Sequence, residues 1–430
     1  MPATSRANTV NPVVVAGTLA AALAALAGCR DADAPPAEAN PIIVAGTRSA
    51  TGGLRTVGLN MARGFELAVK MLNETGGIGD REVRLVLHDD RSDPGRAAEI
   101  YLELASADSI DLLIGPYGSS ITSAVVPVTE AARRPLVTPT ASSHSIWEGQ
   151  SRQWSVQVMN NARDHMRGAV VVGARMGAET VALAYEDSRF PVSVAEGVRE
   201  AATEHGLVII VDESFPIGGA DPAGLVARAQ EVGADLFLGG GYTEDAVAFT
   251  GAVAEAGYEP LLSSWTTGPA EPDFPDRVGI GPARCALGNA PWIAGLSTSG
   301  PLATNATFVE RYVAEYGLEP GYTAAAGFGA IELLTEVARA SVDTGGEIDE
   351  TAVRNHLFST PTETVLGPFG VTPLGEPDAG SQRLLVRLQI QWQDDGLGGL
   401  VQRIVFPDES AEAEPCTARS AEASAAPGSP

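Results

Sequence analysis

Residues 111–143 have the sequence DLLIGPYGSSITSAVVPVTEAARRPLVTPTASS, and their pattern is the strongest indication of the fold. The apolar run at 111–115 predicts a buried strand, and residues 119–132 have the spacing of a helix. A second short apolar run, at 136–138, predicts another strand, and a loop rich in hydroxyl groups follows it. Strand, helix and strand in this order are typical of a parallel sheet that is covered by helices.

The same alternation of strands and helices continues on both sides of this stretch. It begins with a strand at 42–45, and it starts again with a helix at 163–176. Such alternation gives parallel sheets with helices on both faces, and two separate series predict two lobes. The predicted fold class is therefore α/β, with two doubly wound lobes. Two final apolar runs, 384–392 and 401–406, predict an antiparallel hairpin.

The two ends of the chain differ from this body. Residues 1–28 contain one basic residue and then a run of small apolar residues, which is the layout of a secretory signal. Cys29 follows Leu-Ala-Gly and can carry a lipid; the alternative is a plain signal peptide with an incidental cysteine. Residues 29–40 and 408–430 are polar and predict a tether and a disordered tail. We therefore expect an exported protein that faces the periplasm or the cell exterior and is membrane-anchored through Cys29 alone.

The composition argues against several classes of function. The formal net charge is −26 and no basic patch offsets it, so nucleic acid is not an expected partner. The five histidines are scattered without zinc-ligand spacing, so no metal is predicted. Neither a complete dinucleotide loop nor a nucleophile elbow is present, so the sequence predicts no cofactor and no enzyme. For Cys285 and Cys416, a disulfide and two unpaired thiols remain equal alternatives.

Two loops follow strands at positions where parallel sheets bind ligands. In open parallel sheets, ligands bind beyond the carboxyl ends of the strands, beside helix N-termini. The first loop, residues 115–120, contains Ser119, and the second, residues 139–143, contains Ser142. Their hydroxyl and backbone N–H groups, together with the helix dipole, suit a carboxylate without a buried arginine. The alternative is that both serines are only helix N-caps.

Three segments carry a resemblance to a known family. They are GFELAVKMLNETGGIGDREVRLVLHDDRSDPGRAAEI at 64–100, DLLIGPYGSS at 111–120 and PLVTPTASS at 135–143. In this order and spacing they resemble the periplasmic branched-chain amino-acid binding proteins, the type I solute-binding proteins of ABC importers. GPFGVTP at 367–373 resembles the C-terminal region of that family. The resemblance implies a small-molecule ligand, an amino acid or a similar carboxylate, with the membrane subunits of an ABC importer as partners.

The resemblance also implies a division of the chain. Lobe one would consist of residues 41–160 and 290–365, and lobe two of residues 161–289 and 366–407. The chain would cross between them three times through a multi-strand hinge.

The family's ligand contacts correspond to particular residues of this sequence. A serine at Ser119 and the loop from Thr140 to Ser142 would hold the carboxylate, while aromatic side chains would line the cleft. The contacts implied in this way are Ser119, Thr140, Ala141, Ser142, Phe190, Tyr242 and Tyr322.

The chain departs from the family where an acid usually pairs with the ammonium group of the ligand. That position falls on Trp265, whose ring can hold a cation, stack on an uncharged or aromatic ligand, or pack inside a lobe. Glu244, Asp245 and Glu271 are nearby candidates for a substitute acid. We therefore expect carboxylate recognition, while recognition of an ammonium group stays open.

Taken together, these features predict a solute-binding lipoprotein that captures an amino acid or related small carboxylate by lobe closure and delivers it to an ABC importer. The alternative is a ligand sensor or scaffold of the same fold without transport, because a fold does not determine a function. A hydrolase that uses Ser119 or Ser142 has no further support in the sequence.

Overall fold

The computed structural model describes residues 40–343 and 346–417. The predicted signal peptide, Cys29 and residues 30–39 of the predicted tether lie outside the described residues. Within the described part of the chain, no helix is both long and apolar enough to cross a membrane.

Five parallel strands form the sheet of the first lobe, in the order β2-β1-β3-β4-β5. They are β1 (Ile42–Arg48), β2 (Val83–Asp89), β3 (Leu112–Ile114), β4 (Leu136–Thr138) and β5 (Ser155–Gln157). The helices of this lobe are α1 (Arg55–Glu74), α2 (Pro94–Ala105), α3 (Ser119–Ala132) and α4 (His144–Trp147), and later in the chain α11 (Asn305–Tyr316), α12 (Tyr322–Arg339) and α13 (Glu350–Ser359). The central strands β3 and β4 are fully buried, as expected for a parallel sheet covered on both faces.

Helix α12 packs against α1 with very little space between the two backbones. A methyl group added at Gly64 would lie 2.1 Å from the carbonyl oxygen of Ala324, and one at Gly327 would lie 2.3 Å from that of Met61. Both positions therefore require glycine, because any side chain would push the helices apart. This contact holds a late segment of the chain in the first lobe.

Seven strands form the sheet of the second lobe, in the order β14-β13-β10-β9-β8-β6-β7. They are β6 (Thr180–Glu186), β7 (Val208–Phe215), β8 (Leu236–Gly240), β9 (Leu262–Trp265), β10 (Leu287–Ala290), β13 (Leu388–Asp394) and β14 (Leu400–Phe406). The helices of this lobe are α5 (Arg167–Arg175), α6 (Arg189–His205), α7 (Pro222–Glu231), α8 (Thr243–Glu255), α9 (Phe274–Val278) and α10 (Ile280–Ala283). Strands β6 to β10 are mutually parallel. Strand β13 pairs in the antiparallel direction with β10 on one side and with β14 on the other.

The predicted C-terminal hairpin is confirmed, but its first strand begins later than predicted. The backbone N–H groups of Arg383 and Leu384 donate to the side-chain oxygen of Gln382, at 2.9 and 3.0 Å. These N–H groups bond to a side chain and not to a neighbouring strand, so regular strand pairing with β10 starts only at Leu388.

The residues before this hairpin remain with the first lobe. Strands β11 (Thr362–Thr364) and β12 (Gly367–Phe369) form a short antiparallel pair. Beyond them, the Gln157 side chain of β5 accepts hydrogen bonds from Ser381 Oγ and from the Gln382 N–H, both at 3.1 Å. The predicted boundary between residues 365 and 366 is thus corrected, because the chain enters the second lobe only between Gln382 and β13.

Residues 408–417 are ordered against the second lobe, which corrects the predicted disordered tail over this part; residues 418–430 lie outside the described residues. The Gln391 side chain donates to the Cys416 carbonyl and accepts from the Cys416 N–H, both at 2.8 Å. A disulfide joins Cys416 to Cys285, with a Cα–Cα distance of 5.6 Å. A covalent bond and backbone hydrogen bonds thus order a segment that has few apolar side chains of its own.

We expect loss of this disulfide to destabilise the protein by about 2–4 kcal/mol, because it closes a long loop in the unfolded chain. The two cysteines are 131 residues apart. Urea unfolding of the C285S/C416S double variant measures the loss, and a reductant should produce the same loss in the wild type and none in the variant. Equal stability of oxidised and reduced wild-type protein would contradict this expectation.

Candidate ligand-binding site

A pocket lies where the carboxyl ends of the parallel strands of both sheets meet. Its cavity volume is about 20 Å³, so the walls of the pocket lie close together. The first lobe contributes Tyr117, Gly118, Ser119, Thr140, Ser142, Met159 and Tyr322. The second lobe contributes His165, Phe190, Tyr242, Thr266, Thr267, Asn289 and Pro291.

One wall of the pocket consists of hydroxyl groups that are held in place by backbone N–H groups. The Gly118 N–H donates to Thr140 Oγ1 and the Ser143 N–H donates to Ser119 Oγ, each at 3.0 Å. Because these oxygens already accept a hydrogen bond, the Ser119 hydroxyl keeps its hydrogen to donate into the pocket. Thr140 has only the Met61 thioether, a weak acceptor 3.9 Å away, as a competing partner.

The N-terminus of α3 lies beside this wall. The first bond of its ladder runs from the Thr122 N–H to the Gly118 carbonyl, so the N–H groups of Ser119, Ser120 and Ile121 have no partner within the helix. Gly118 precedes the helix with a φ of 82°, which glycine adopts without strain. No acidic side chain occupies the first turn. These N–H groups and the positive end of the helix dipole favour an anion here.

Neither predicted serine is a helix N-cap. Gly118 occupies the N-cap position of α3 and Ser143 occupies that of α4. Ser119 and Ser142 are buried, with 0% and 2% of their surface exposed, and both line the pocket. The interpretation of these serines as mere caps is therefore not what the structure shows.

The opposite wall is aromatic. The rings of Phe190 and Tyr242 lie 5.8 Å apart between centroids, and His165 meets Phe190 edge-on at 5.5 Å. The buried side chains of Tyr117 and Tyr322 also line the pocket. Burial raises the pKa of Tyr117, Tyr242 and Tyr322 above the ordinary value of 10.0, so all three stay protonated at neutral pH.

His165 also brings no charge to the pocket. Its Nε2 lies 3.3 Å from the Asn160 carbonyl oxygen and its Nδ1 lies 3.4 Å from Thr266 Oγ1. Complete burial lowers the pKa of this imidazole to about 4, which leaves it neutral at physiological pH. The pocket therefore offers dipoles and aromatic surface but no fixed charge.

Two of the predicted contacts do not line the pocket. The Ala141 carbonyl accepts hydrogen bonds from Trp147 Nε1 and Gln157 Nε2, at 2.8 and 3.1 Å, inside the first lobe. The ring of Trp265 stacks on Phe249 with centroids 4.6 Å apart and is only 2% exposed. Of the alternatives for Trp265, packing inside a lobe is therefore the one that the structure shows.

The position of Trp265 follows from strand geometry. Side chains alternate between the two faces of a strand. An error of one residue in the alignment therefore assigns a side chain to the pocket when it lies on the opposite face. Trp265 lies across Gly239 of the paired strand β8, where a methyl group would come 2.4 Å from the ring. The next residues, Thr266 and Thr267, line the pocket instead.

Six of the eight predicted contacts thus lie together in one pocket. Tyr117 and Gly118 were missed even though they lie in the same loop as Ser119, and the logic of strand ends would have found them. No sequence motif identifies His165 or Asn289 as pocket residues, because only the tertiary fold brings them to the pocket. Among the described residues, no group of three or more His, Cys, Asp or Glu side chains is arranged to hold a metal ion.

The model of a family described as "Periplasmic binding protein" matches residues 41–382. The chain belongs to the periplasmic binding protein family. The match spans both lobes, and the pocket of this periplasmic binding protein lies between them.

Individual relatives of this periplasmic binding protein agree with the family match. The chain is 27% identical over 384 residues to the Leu/Ile/Val-binding protein homolog 8 of Brucella abortus, covering 85% of this chain and 90% of that protein. It resembles the branched-chain amino acid transporter substrate binding protein LivJ of Streptococcus pneumoniae, solved with isoleucine (TM-score 0.72, 19% identity, 86% and 100% coverage). It also resembles an ABC transporter solute binding protein of R. palustris, solved with benzoate (TM-score 0.71, 18% identity, 88% and 99% coverage). The two solved structures support the type I fold.

We expect Trp265 to act on stability through its stack with Phe249, because stacked aromatic pairs contribute about 0.5–1.5 kcal/mol beyond the area that they bury. A double-mutant cycle with W265L and F249L, followed by urea unfolding, measures this coupling. The pair W265L and F190L serves as a control and should be additive, since Phe190 lies at the pocket. Additive effects of W265L and F249L would contradict the assignment of Trp265 to the core.

Proposed function

We propose that this periplasmic binding protein captures a small carboxylate between its two lobes and delivers it to an ABC importer. The observation that carries the proposal is the corner where the Ser119 hydroxyl and the N-terminus of α3 face the pocket, beside Thr140 and Ser142. Such a corner suits a carboxylate, because an anion can accept several preorganised hydrogen bonds there. The ligands of the two solved relatives, isoleucine and benzoate, share a carboxylate group.

Lobe closure is the second element of the proposal. On one flank of the pocket the lobes meet through polar contacts: Ser143 Oγ to Ser193 Oγ at 2.7 Å, His144 Nδ1 to the same oxygen at 2.8 Å, and Arg189 Nη1 to Ser145 Oγ at 2.9 Å. Small polar contacts can exchange with water at little net cost when the lobes separate. The segments that connect the lobes would act as the hinge.

The proposal includes export and anchoring. Lipid attached to Cys29 would hold the protein at a membrane, with the polar residues 30–40 as the tether that lets the lobes reach an importer. Lobe one would then consist of about residues 41–160 and 290–382, and lobe two of about residues 161–289 and 388–407, with the boundary corrected as above.

We expect S119A to weaken the binding of carboxylates by about 1–3 kcal/mol, because a buried charge loses a hydrogen-bond donor. Calorimetric titration with isoleucine, benzoate and benzamide measures the effect. The variant S120A is a matched control, since Ser120 lies in the same helix turn but does not line the pocket. The variant S119A should also lose preference for benzoate over benzamide. Unchanged carboxylate affinity in S119A would remove Ser119 from the binding site.

Glu271 lies on the other flank of the pocket, between the lobes. It belongs to the loop after β9, and its Oε2 would lie 2.1 Å from a methyl group at Gly321, so the carboxyl group packs against the start of α12. Its Oε1 has no hydrogen-bond partner among the described residues. Burial, with a smaller contribution from Asp273, raises the pKa of Glu271 to about 8, against the opposing effect of Arg277. The buried tyrosines Tyr117 and Tyr322 also face it.

We expect ligand affinity to fall as the pH rises from 5 through about 8, and to level off above that, if closure buries Glu271. The pKa of Glu271 is higher in the closed form than in the open form, so closure takes up a proton at this carboxyl group. Alkaline pH therefore favours opening. Titrations of the wild type, E271Q and the exposed control E319Q across this range measure the effect. The profile should flatten in E271Q alone; parallel profiles in all three proteins would contradict this role.

A further inference from the structure

The residues that the second lobe contributes to the pocket include no counter-charge for an ammonium group. None of the described residues that line the pocket is Asp, Glu, Lys or Arg. Burying an ammonium group without a counter-charge is strongly unfavourable. Trp265, whose ring face could have held a cation, stacks on Phe249 away from the pocket.

Three acids of the second lobe lie near this wall, and two of them are engaged elsewhere. Glu244 is largely exposed and pairs with Arg277 at 2.7 Å. The Asp245 carboxylate accepts a hydrogen bond from the Tyr242 N–H at 2.9 Å, where it caps α8. The Oε1 of Glu271 has no hydrogen-bond partner among the described residues, but Glu271 packs against Gly321 and lines a separate cavity with Asn60 and Arg63, not this pocket.

Glu186, at the end of β6, is the remaining acid behind the aromatic wall. It is 5% exposed and its Oε1 accepts a hydrogen bond from Ser188 Oγ at 2.6 Å. It does not line the pocket either, and burial raises the pKa of this carboxyl group. Among the described residues, therefore, no carboxylate lines the pocket beside the place where a cation would be buried.

One neutral group of the same wall lacks a partner. Asn289, at the end of β10, lines the pocket and is 2% exposed. Its Oδ1 accepts no hydrogen bond from any described residue. A buried acceptor without a partner is unfavourable, so this oxygen favours a ligand that donates an O–H or N–H to it. Thr266 and Thr267 beside it are also neutral.

We propose that the pocket selects carboxylic acids that lack an ammonium group and carry a neutral hydrogen-bond donor, such as a hydroxyl, which reaches Asn289. This inference rests on the proposed function, because it takes the Ser119 corner as the carboxylate site. The rings of Phe190, Tyr242 and Tyr322 enclose the apolar body between the two polar ends. The substrate class is thus a hydroxylated monocarboxylate and not an α-amino acid.

Two matched sets of probes test the two halves of this proposal by calorimetric titration of the wild-type protein. Leucine and 4-methylpentanoate differ only in the ammonium group, and the latter should bind at least about tenfold more tightly. Benzoate, 3-hydroxybenzoate and 4-hydroxybenzoate differ only in the donor, and one hydroxybenzoate should bind at least about tenfold more tightly than benzoate. Tighter binding of leucine than of 4-methylpentanoate overturns the proposal, and so does failure of every ammonium-free acid to bind at millimolar concentration.

Variants of Asn289 connect the preference to this residue. In N289A the ratio of hydroxybenzoate affinity to benzoate affinity should fall to about one, because the acceptor that distinguishes the two ligands is gone. In N289D the added carboxylate should raise the affinity for leucine relative to 4-methylpentanoate. An unchanged hydroxybenzoate advantage in N289A overturns the role of Asn289. If S119A weakens all probes but leucine is preferred, the proposed function stands and only this inference fails; if S119A changes nothing, the carboxylate site itself fails.

Discussion

The common direction of the parallel strands is the constraint on which the pocket depends. Because β3 and β4 run in the same direction, the loops after Ile114 and Thr138 emerge at one edge of the first sheet. The parallel strands β6, β8, β9 and β10 bring their own loops to one edge of the second sheet. A pocket between these edges therefore collects side chains from distant parts of the sequence, without any of those loops needing a motif of its own.

The chemistry of the pocket uses dipoles in place of charges. The chain carries a net charge of −26, yet the residues that line the pocket contribute no charge at neutral pH. A hydroxyl fixed by the Ser143 N–H and the amide groups of α3 can bind an anion without an arginine that would itself need compensation in the empty cleft. The pocket is thus not itself strongly charged when no ligand is bound, which makes opening and closing less costly.

The sequence was sufficient for the alternation of elements and for the first-lobe side of the site. Helical spacing and strand runs predicted α3 and β4 with the observed bounds, and Ser119, Thr140 and Ser142 line the pocket. At Trp265 the sequence left pocket and core open as alternatives, because a count along a strand must be correct to one residue to give the right face. Asn289 could not be predicted from the sequence, because no local pattern identifies a strand residue whose side chain lacks a hydrogen-bond partner. The order of residues 408–417 depends on a disulfide, whose geometry no spacing determines.

These differences follow from how each side of the pocket is built. The first lobe offers backbone N–H groups and short hydroxyls, which suit any carboxylate and depend on a local turn that the sequence displays. The second lobe offers single side chains at the ends of β9 and β10, where a change of one residue alters polarity without disturbing the sheet. A fold of this kind can therefore keep one anion site while Thr266, Thr267 and Asn289 decide which second group of the ligand is accepted. In the proposed function, affinity for the carboxylate and selectivity among carboxylates would be properties of different lobes, joined only when the lobes close.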